Sequence, residues 1–380
     1  MASPAPGADS VAVAAPDPRV ALVRDTLQAV LDQARADSAF PGAIAVVGTS
    51  AGVLTTAATG MLDWAPSPPV DERTIWDLAS LTKVVAMTTA VAQLVDQERV
   101  SLDAPVVQYL PEWRAPGVDR IRVRDLLTHS SGMPSWRPLY KESETREAAR
   151  TLVLATGPDT VPGARMVYSD LGAILLGLLV ERVSGQSLDA YVAQHVFAPL
   201  GMPDTRYLPP SSELARIAPT EFDPWRQRKI RGEVHDENAT RLGGVSAHAG
   251  LFSTAADLAR FARMYLNDGA LDGVRVLTPE TIATFTAPQN PALGNRAIGW
   301  EKPTPRNSAG ALMSTRAFGH TGFTGTSIWM DPERDVFVIL LTNRVNPTRE
   351  NPRIAAVRRS VADAALAALF PGLPPRPAVP

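Results

Sequence analysis

In this 380-residue sequence the segment Leu78 to Val95 reads LASLTKVVAMTTAVAQLV. After Lys83 the segment is apolar or small on nearly every helical face, which is typical of a helix buried on most sides. A lysine at the start of such a helix is costly unless it has a partner or a function. Among 37 lysines and arginines, only Lys83, Lys141, Lys229 and Lys302 are lysines. Lys83 is therefore not routine surface charge.

Ser80 and Lys83 are three residues apart, so they share one face of a helix. A serine hydroxyl becomes a nucleophile when a neighbouring base takes its proton, and a desolvated lysine can be that base. We expect Ser80 in the first helical turn, at the positive end of the backbone dipole. This is the Ser-x-x-Lys arrangement of serine acyl-transfer enzymes. The structural alternative is a serine near a helix N-cap, followed by a lysine that extends its amine to solvent.

Composition limits the classes of protein. Hydrophobic residues make up 45% and charged residues 20%, which are values of a globular protein, and no apolar run is long enough to span a bilayer. The net charge of −2 gives no electrostatic reason to expect nucleic acid. The absence of cysteine excludes disulfides and thiolate chemistry, but it leaves the cellular compartment undecided. We expect no transmembrane segment.

The ends of the chain differ from its middle in composition. Residues 1–17 are rich in alanine and proline without a positively charged start or an apolar core, so we expect a disordered leader and no signal peptide. Residues 371–380 form a proline-rich tail. Two hairpins are predicted, from residues 43–47 with 53–58 and from 326–330 with 336–342. Helices are predicted at 18–36, 123–127, 171–183, 188–197, 255–266 and 354–370.

Strands near both ends, with helices between them, predict an α+β fold. We expect one antiparallel sheet built from both ends of the chain and flanked by the terminal helices. The expected division is an α/β sandwich subdomain from residues 18–85 and 245–370, with a mainly helical subdomain from residues 86–244 inserted into it.

A serine activated by lysine needs a second proton shuttle and backbone donors for an oxyanion. Tyr168 follows a Pro-Gly turn and precedes an apolar helix, so its hydroxyl could face a cleft. The alternative is a packed tyrosine followed by Asp170 as a plain N-cap. Further on, Gly319-His320-Thr321-Gly322 allows the close backbone approach that a strand beside a cleft requires. We expect the amides of Ser80 and Phe323 to form the oxyanion hole.

The three motifs Ser80-Leu81-Thr82-Lys83, Tyr168-Ser169-Asp170 and His320-Thr321-Gly322 occur in this order. Their order and spacing resemble those of the class C serine β-lactamase and penicillin-binding-protein superfamily, and the similarity covers roughly Val20 to Leu369. The resemblance implies a β-lactamase/transpeptidase-like fold without cofactor or metal. It implies that Ser80 forms the acyl-enzyme while Lys83 and Tyr168 exchange protons, and that His320, Thr321 and Gly322 contact substrate.

Two residues depart from the family pattern. Asp170 stands where the family has asparagine, which typically contacts substrate and lysine; an ionised aspartate there would keep Lys83 protonated. His320 stands where many β-lactamases have lysine, and it supplies less positive charge for a substrate carboxylate. Both changes argue against an efficient β-lactamase.

The remaining histidines lie outside these motifs. His235, Asp236, His248 and His320 lack the short spacing of a metal motif, so we expect no metal site. The polar loop instead is expected to brace the cleft, with His235 or His248 contacting substrate. His129 and His195 are interpreted as structural.

The leading hypothesis is a serine hydrolase that cleaves carboxylic esters or D-amino-acid amides. The alternatives are a D,D-carboxypeptidase of the penicillin-binding type, a transesterase that passes the acyl group to an alcohol or amine, and a non-catalytic ligand-binding or scaffold protein. The expected partner is a small ester, D-peptide or lactam. Natural substrate, localisation and oligomeric state do not follow from the sequence.

Overall fold

The computed structural model describes residues 18–376, so the predicted leader and the last residues of the predicted tail lie outside the described part of the chain. Eleven helices are described there: α1 Pro18–Ala36, α2 Thr89–Asp96, α3 Val123–Leu127, α4 Leu139–Glu142, α5 Arg146–Leu154, α6 Asp170–Ser184, α7 Leu188–Val192, α8 Glu237–Arg241, α9 Ala255–Leu266, α10 Pro279–Thr286 and α11 Ile354–Leu369. Strands of the main sheet are β1 Gly42–Gly48, β2 Val53–Gly60, β10 Phe318–Thr321, β11 Ser327–Asp331 and β12 Val336–Thr342. Shorter strands are β3 Trp76–Asp77, β4 Arg206–Tyr207, β5 Phe222–Asp223, β6 Arg228–Lys229, β7 Leu251–Ser253, β8 Ala270–Leu271 and β9 Val274–Arg275.

The main sheet joins the two ends of the described chain. Its strand order is β10-β11-β12-β1-β2, and every neighbouring pair is antiparallel. In the centre, β1 pairs with β12 so that Ala43 faces Thr342. The α+β class, the sheet built from both ends of the chain and both predicted hairpins are thereby confirmed.

The central strands are buried on both faces because each face carries its own apolar layer. In β1, Ile44 and Val46 point into the larger core, whereas Ala43, Ala45 and Val47 point into a second core beneath α1 and α11. Helices α1 and α11 pack against each other and against the sheet, as predicted for the terminal helices. Helix α9 covers the opposite face by contacting β1, β11 and β12.

The segment that carries Ser80 differs from the regular helix expected there. Residues Ala79–Leu81 form a single 3₁₀ turn, Lys83–Thr88 form a π-helical segment, and regular α-helix begins only at Thr89. Ser80 and Lys83 still lie side by side, because Nζ of Lys83 is 3.0 Å from Oγ of Ser80. Single π-turns inside helices are frequent at functional sites. The predicted burial of this segment is confirmed, because Lys83 and all residues from Val84 to Thr88 are buried.

The region between the two halves of the sheet is mainly helical, and its central helix is α6. Nine residues of α6 are buried, including Leu175 and Leu179. No single helix among residues 18–376 has both the length and the apolar composition to cross a bilayer. Helix α6 and the following Leu188–Phe197 segment meet the two criteria only when they are taken together, and the pair is bent by 74°. The proposed subdomain boundaries at residues 85 and 245 remain a prediction.

Gly322 fixes the distance between the main sheet and the Ser80 turn. A Cβ at this position would lie 2.3 Å from the carbonyl oxygen of Leu78 and 2.1 Å from Oγ1 of Thr326. The hydroxyl of Thr326 itself donates to the same Leu78 carbonyl at 3.0 Å. The end of β10 can therefore approach the Ser80 turn only if residue 322 has no side chain.

We expect Gly322→Ala to lower the free energy of unfolding by about 1–3 kcal/mol, because the added methyl group forces two backbone segments apart. The measurement is urea denaturation followed by circular dichroism. Gly52→Ala is the matched control, since a Cβ at Gly52 meets nothing within 4 Å. Equal stability of the two variants would contradict the proposed close approach.

Candidate active site

Ser80 lies on a turn that is fixed from several sides. The buried carboxylate of Asp77 accepts the amide N–H of Ala79 at 2.8 Å and that of His235 at 2.7 Å. Ala79 has a φ of +46°, a left-handed conformation that is unfavourable for a residue with a Cβ. The amide of Leu78 donates to the carbonyl of Leu251 in β7. Strain of this kind persists only where the surroundings enforce it, and here it presents a half-buried Ser80 to the cleft.

The amine of Lys83 is surrounded by acceptors from three separate segments. Nζ donates to Oγ of Ser80 at 3.0 Å and to the carbonyl of His248 at 2.9 Å. It also forms an ion pair with Asp170, at 2.8 Å from Oδ1. Lys83 is 1% exposed, so this pair is shielded from solvent on the lysine side. The sequence hypothesis that an aspartate at position 170 pairs with Lys83 agrees with this geometry.

Burial and the carboxylate act on Lys83 in opposite directions. Burial lowers the pKa of the amine, but the negative charge of Asp170 outweighs it, so the pKa of Lys83 is raised above its ordinary value. In the resting site Lys83 is therefore an ammonium that donates to Ser80, rather than a free base. Asp170 is available for this contact because Ser169, not Asp170, is the N-cap of α6 and accepts the amide of Gly172.

Tyr168 lies next to the same amine. Nζ of Lys83 is 4.9 Å from the centroid of the Tyr168 ring. The phenol oxygen is buried and has no hydrogen-bond partner within residues 18–376. The ring packs against His129, with centroids 4.5 Å apart, and the guanidinium of Arg296 lies 5.6 Å from it on another side. The structure thus brings the three predicted residues Ser80, Lys83 and Tyr168 together.

Two histidines pack against Tyr168 and are uncharged. Burial lowers the pKa of His129 and of His320 well below the ordinary value, and the nearby Arg296 and Lys83 charges lower both further. Nδ1 of His129 accepts the amide of Ser169, which fixes the start of α6. Nδ1 of His320 faces the carbonyl of Thr321 at 2.8 Å and must donate to it. His320 is 1% exposed and sits behind Tyr168, away from the cleft residues that surround Ser80.

The predicted oxyanion donor Phe323 lies in the turn that follows β10. Thr324 Oγ1 donates to the carbonyl of Asp77 at 2.7 Å, so this turn is attached directly to the Ser80 turn. The carbonyl of Phe323 accepts from Nε of Arg344 at 2.8 Å. Among the described residues the amide N–H of Phe323 has no hydrogen-bond acceptor. Phe323 and Ser80 line the same cleft, as an oxyanion hole requires.

His235 and His248 also line the cleft, and each contacts a different carboxylate. Nε2 of His235 lies 2.7 Å from Oε1 of Glu221, and its ring stacks on Phe323 with centroids 5.7 Å apart. Nε2 of His248 lies 2.9 Å from Oδ1 of Asp236, and its Nδ1 lies 2.7 Å from Ser246. Contact with His248 holds the pKa of Asp236 well below its ordinary value despite burial. His195 lies elsewhere and packs on Tyr191, as a structural residue does.

These groups enclose a cleft of about 280 Å³. It is lined by Ser80, Tyr168, Asp170, His235, His248 and Phe323 from the predicted set. Sequence reasoning missed Trp136, Glu237 and Arg349, which also line it, and Asp77, which supports it. No periodic pattern marks these residues, because they come from separate loops. The one available signal was the isolated tryptophan between two prolines at positions 134 and 138.

Comparisons with known proteins identify the family of this chain. A family model described as Beta-lactamase matches residues 27–363. A relative from Bacillus subtilis (strain 168) named "N-acetylmuramyl-L-alanine amidase" is 34% identical, over 83% of this chain and 80% of its own length. A relative from Salmonella agona named "Putative D-alanyl-D-alanine carboxypeptidase" is 32% identical, over 74% of this chain and 72% of its own.

A solved penicillin-binding protein homologue from Caulobacter crescentus has the same fold. Its TM-score is 0.75 at 23% identity, covering 93% of this chain and 98% of the homologue. The fold and the site define a serine hydrolase of the β-lactamase and penicillin-binding class. The chain belongs to the Beta-lactamase family.

We expect Asp77→Ala to destabilise the protein by about 1–3 kcal/mol for each of the two buried amides left without an acceptor. Thermal or urea unfolding measures this loss. Asp119→Ala removes an exposed aspartate from the same protein and is the matched control. A variant at position 77 that unfolds at the control's midpoint would show that the Ser80 turn does not depend on this carboxylate.

Proposed function

We propose that this protein cleaves acyl bonds through a covalent ester on Ser80. The observation that carries the proposal is the position of Lys83 Nζ, 3.0 Å from Ser80 Oγ and 2.8 Å from Asp170 Oδ1. Ser80 and Asp170 line a cleft together with Tyr168. The non-catalytic alternative does not explain why a strained turn presents a serine hydroxyl to a buried amine.

Activation of Ser80 requires that the resting ion pair first exchange a proton. When bound substrate excludes water, Lys83 transfers a proton across the short contact to Asp170 and becomes a neutral amine. The amine takes the proton of Ser80 as Oγ bonds to the substrate carbonyl carbon. The carbonyl oxygen becomes an oxyanion that accepts from the amides of Ser80 and Phe323. Asp170 thus holds a proton during the reaction, in addition to pairing with Lys83 in the resting site.

Tyr168 completes the cycle at the leaving group. Its phenol gives a proton to the leaving atom as that bond breaks, and it regains a proton from the Lys83 ammonium. Water then attacks the ester and Lys83 accepts its proton. As the second intermediate collapses, Lys83 gives that proton to Oγ of Ser80 and is again a neutral amine. Asp170 finally gives its proton back to Lys83. All charges at the end are those of the resting site.

The bond cleaved is proposed to be an amide of alanine. Both curated relatives carry names that describe amide cleavage beside alanine, one with L-alanine and one with D-alanine. Only the bond type is carried over from these names. The proposal thus places amides before esters, whereas the sequence analysis placed carboxylic esters first and D,D-peptides second. Esters remain suitable assay substrates, because an acyl-enzyme forms from either bond.

The charges of the side chains that line the cleft argue against β-lactamase activity. Position 320 lacks the lysine of many β-lactamases, and burial lowers the pKa of the histidine that stands there, so it adds no positive charge to the cleft. The cleft carries Asp170, Asp236 and Glu237 against Arg349, which itself contacts Glu221 and Glu237. A lining of this charge does not attract a free substrate carboxylate. The proposed roles of His320, Thr321 and Gly322 are therefore support of Tyr168 and close backbone packing.

We expect Ser80→Ala to abolish turnover of p-nitrophenyl acetate and of an N-acylalanine whose carboxyl group is blocked as an amide. Lys83→Ala is expected to lower kcat by about 10²-fold or more, as for loss of a positioned proton carrier. Stopped assays of product release measure both, and denaturation curves establish that the variants fold. Ester turnover that survives in Ser80→Ala at the wild-type rate would remove Ser80 from the mechanism.

We expect Asp170→Asn to move the acidic limb of the pH profile of kcat/KM to higher pH, because the variant lacks the carboxylate that receives the Lys83 proton. Without that carboxylate burial lowers the pKa of Lys83, and the acidic limb then follows the loss of a proton from Lys83 to solvent. Asp119→Asn changes an exposed aspartate and serves as the control. An acidic limb that stays in place in Asp170→Asn would show that Asp170 does not set the protonation of Lys83.

A further inference from the structure

The seven tryptophans of the chain fall into two groups. Four of them, Trp76, Trp113, Trp300 and Trp329, are among the largest fully buried side chains. The other three are exposed: Trp64 by 41%, Trp136 by 47% and Trp225 by 38%. Exposed aromatic rings that gather in concave surface frequently mark binding sites. Each of the three exposed indoles lines a different cavity.

The three cavities form one groove, which we name the tryptophan groove. The Ser80 cleft, with Trp136, shares Glu237 and Arg349 with a cavity of about 660 Å³ that contains Trp225. That cavity shares Pro347, Thr348 and Glu350 with one of about 580 Å³ that contains Trp64. The groove therefore runs from the nucleophile past all three exposed tryptophans.

The composition of the tryptophan groove narrows the class of its ligand. Within the described residues, its lining contains no leucine, isoleucine, valine or methionine. Fatty acyl chains and apolar peptide side chains are recognised by aliphatic pockets, which this groove lacks. Its apolar surface consists mainly of flat rings and prolines, and its remaining groups are charged or polar. Pyranose sugars match this combination, because they present a C–H face to rings and a hydroxyl edge to polar groups.

The indole of Trp225 is held rigidly although it is exposed. Tyr140 meets it edge-on with centroids 5.0 Å apart, and the guanidinium of Arg241 lies 5.5 Å from its centroid. Its backbone amide donates to Asp223 at 2.6 Å. At the far end, Nε1 of Trp64 donates to the carbonyl of Asn346 at 2.9 Å, which fixes that ring as well. Rings fixed in advance lose little conformational entropy when a ligand binds.

We propose that the tryptophan groove binds an uncharged oligosaccharide chain that carries the acyl group attacked by Ser80. The inference that the bound chain is a substrate rests on the proposed acyl cleavage. The inference that the groove binds a saccharide rests on the groove alone. Seven carboxylates line the groove against the four cationic side chains Lys141, Lys229, Arg349 and Arg353, and this excess of negative charge disfavours polyanionic ligands, nucleic acids among them. Three separate aromatic positions indicate several sugar units and not a single one.

The test measures binding of tetra-N-acetylchitotetraose and of cellotetraose to the full-length Ser80→Ala protein, by isothermal calorimetry and by tryptophan fluorescence. We expect saturable binding that Trp225→Ala and Trp64→Ala each weaken by about tenfold, the loss of one aromatic platform. Trp225→Phe keeps a ring and should retain part of the affinity. Leu22→Ala removes an exposed apolar side chain on α1, outside the groove, and should bind like the parent.

The monosaccharide N-acetylglucosamine distinguishes a chain-binding groove from a single sugar site. Its binding should be weaker and insensitive to Trp64→Ala if the ring of Trp64 contacts a later unit of the chain. A tetrasaccharide that does not bind, or that binds all variants equally, overturns the inference. Binding of a D-alanyl-D-alanine pentapeptide that is lost in Trp225→Ala, without any sugar binding, assigns the groove to peptide and also overturns it.

Ester turnover keeps this inference separate from the proposed function. Hydrolysis of p-nitrophenyl acetate by the wild-type protein, together with no saccharide binding, refutes the groove proposal and leaves the acyl cleavage standing. Saccharide binding without hydrolysis of any ester or carboxyl-blocked N-acylalanine refutes the acyl cleavage and leaves the groove proposal standing.

Discussion

The buried ammonium group of Lys83 contacts three separate segments of the site. Lys83 contacts the Ser80 turn, the backbone at His248 and the first residue of α6, three segments that are remote in sequence. An unpaired charge in this position would be costly, and removing one partner of such a pair typically costs about 3–5 kcal/mol. The folded chain must therefore bring these segments to one point, and the cleft beside Ser80 is a consequence of that requirement.

The same ammonium explains why the departures from the family motifs are consistent with one another. Asp170 supplies the charge that stabilises Lys83, and burial, with a further contribution from the charges of Arg296 and Lys83, lowers the pKa of His129 and of His320. A lysine at position 320 would add a third buried cation beside Tyr168. Aspartate in the second motif and histidine in the third thus suit one electrostatic arrangement, in which the cleft presents carboxylates and aromatic rings to its ligand.

Local sequence patterns were sufficient for the sheet, the terminal helices and the group of Ser80, Lys83 and Tyr168. Alternating or helical periodicity and ordered motifs carry that information within a few residues. The form of the Ser80 segment could not be obtained this way, because its 3₁₀ and π turns depend on β7 and on the Asp77 carboxylate. Trp136, Trp225 and Arg349 were also missed, since loops far apart in sequence meet only in the folded chain.

The pairing of β1 with β12 has a consequence for biosynthesis. Strand β1 is synthesised long before β12, so it has no partner on that side until translation has passed β12. Contacts of such high sequence separation slow folding and leave apolar edges open to association. Because β10 reaches the Ser80 turn only through that completed sheet, a truncated or prematurely released chain carries its nucleophile without the wall that makes it reactive.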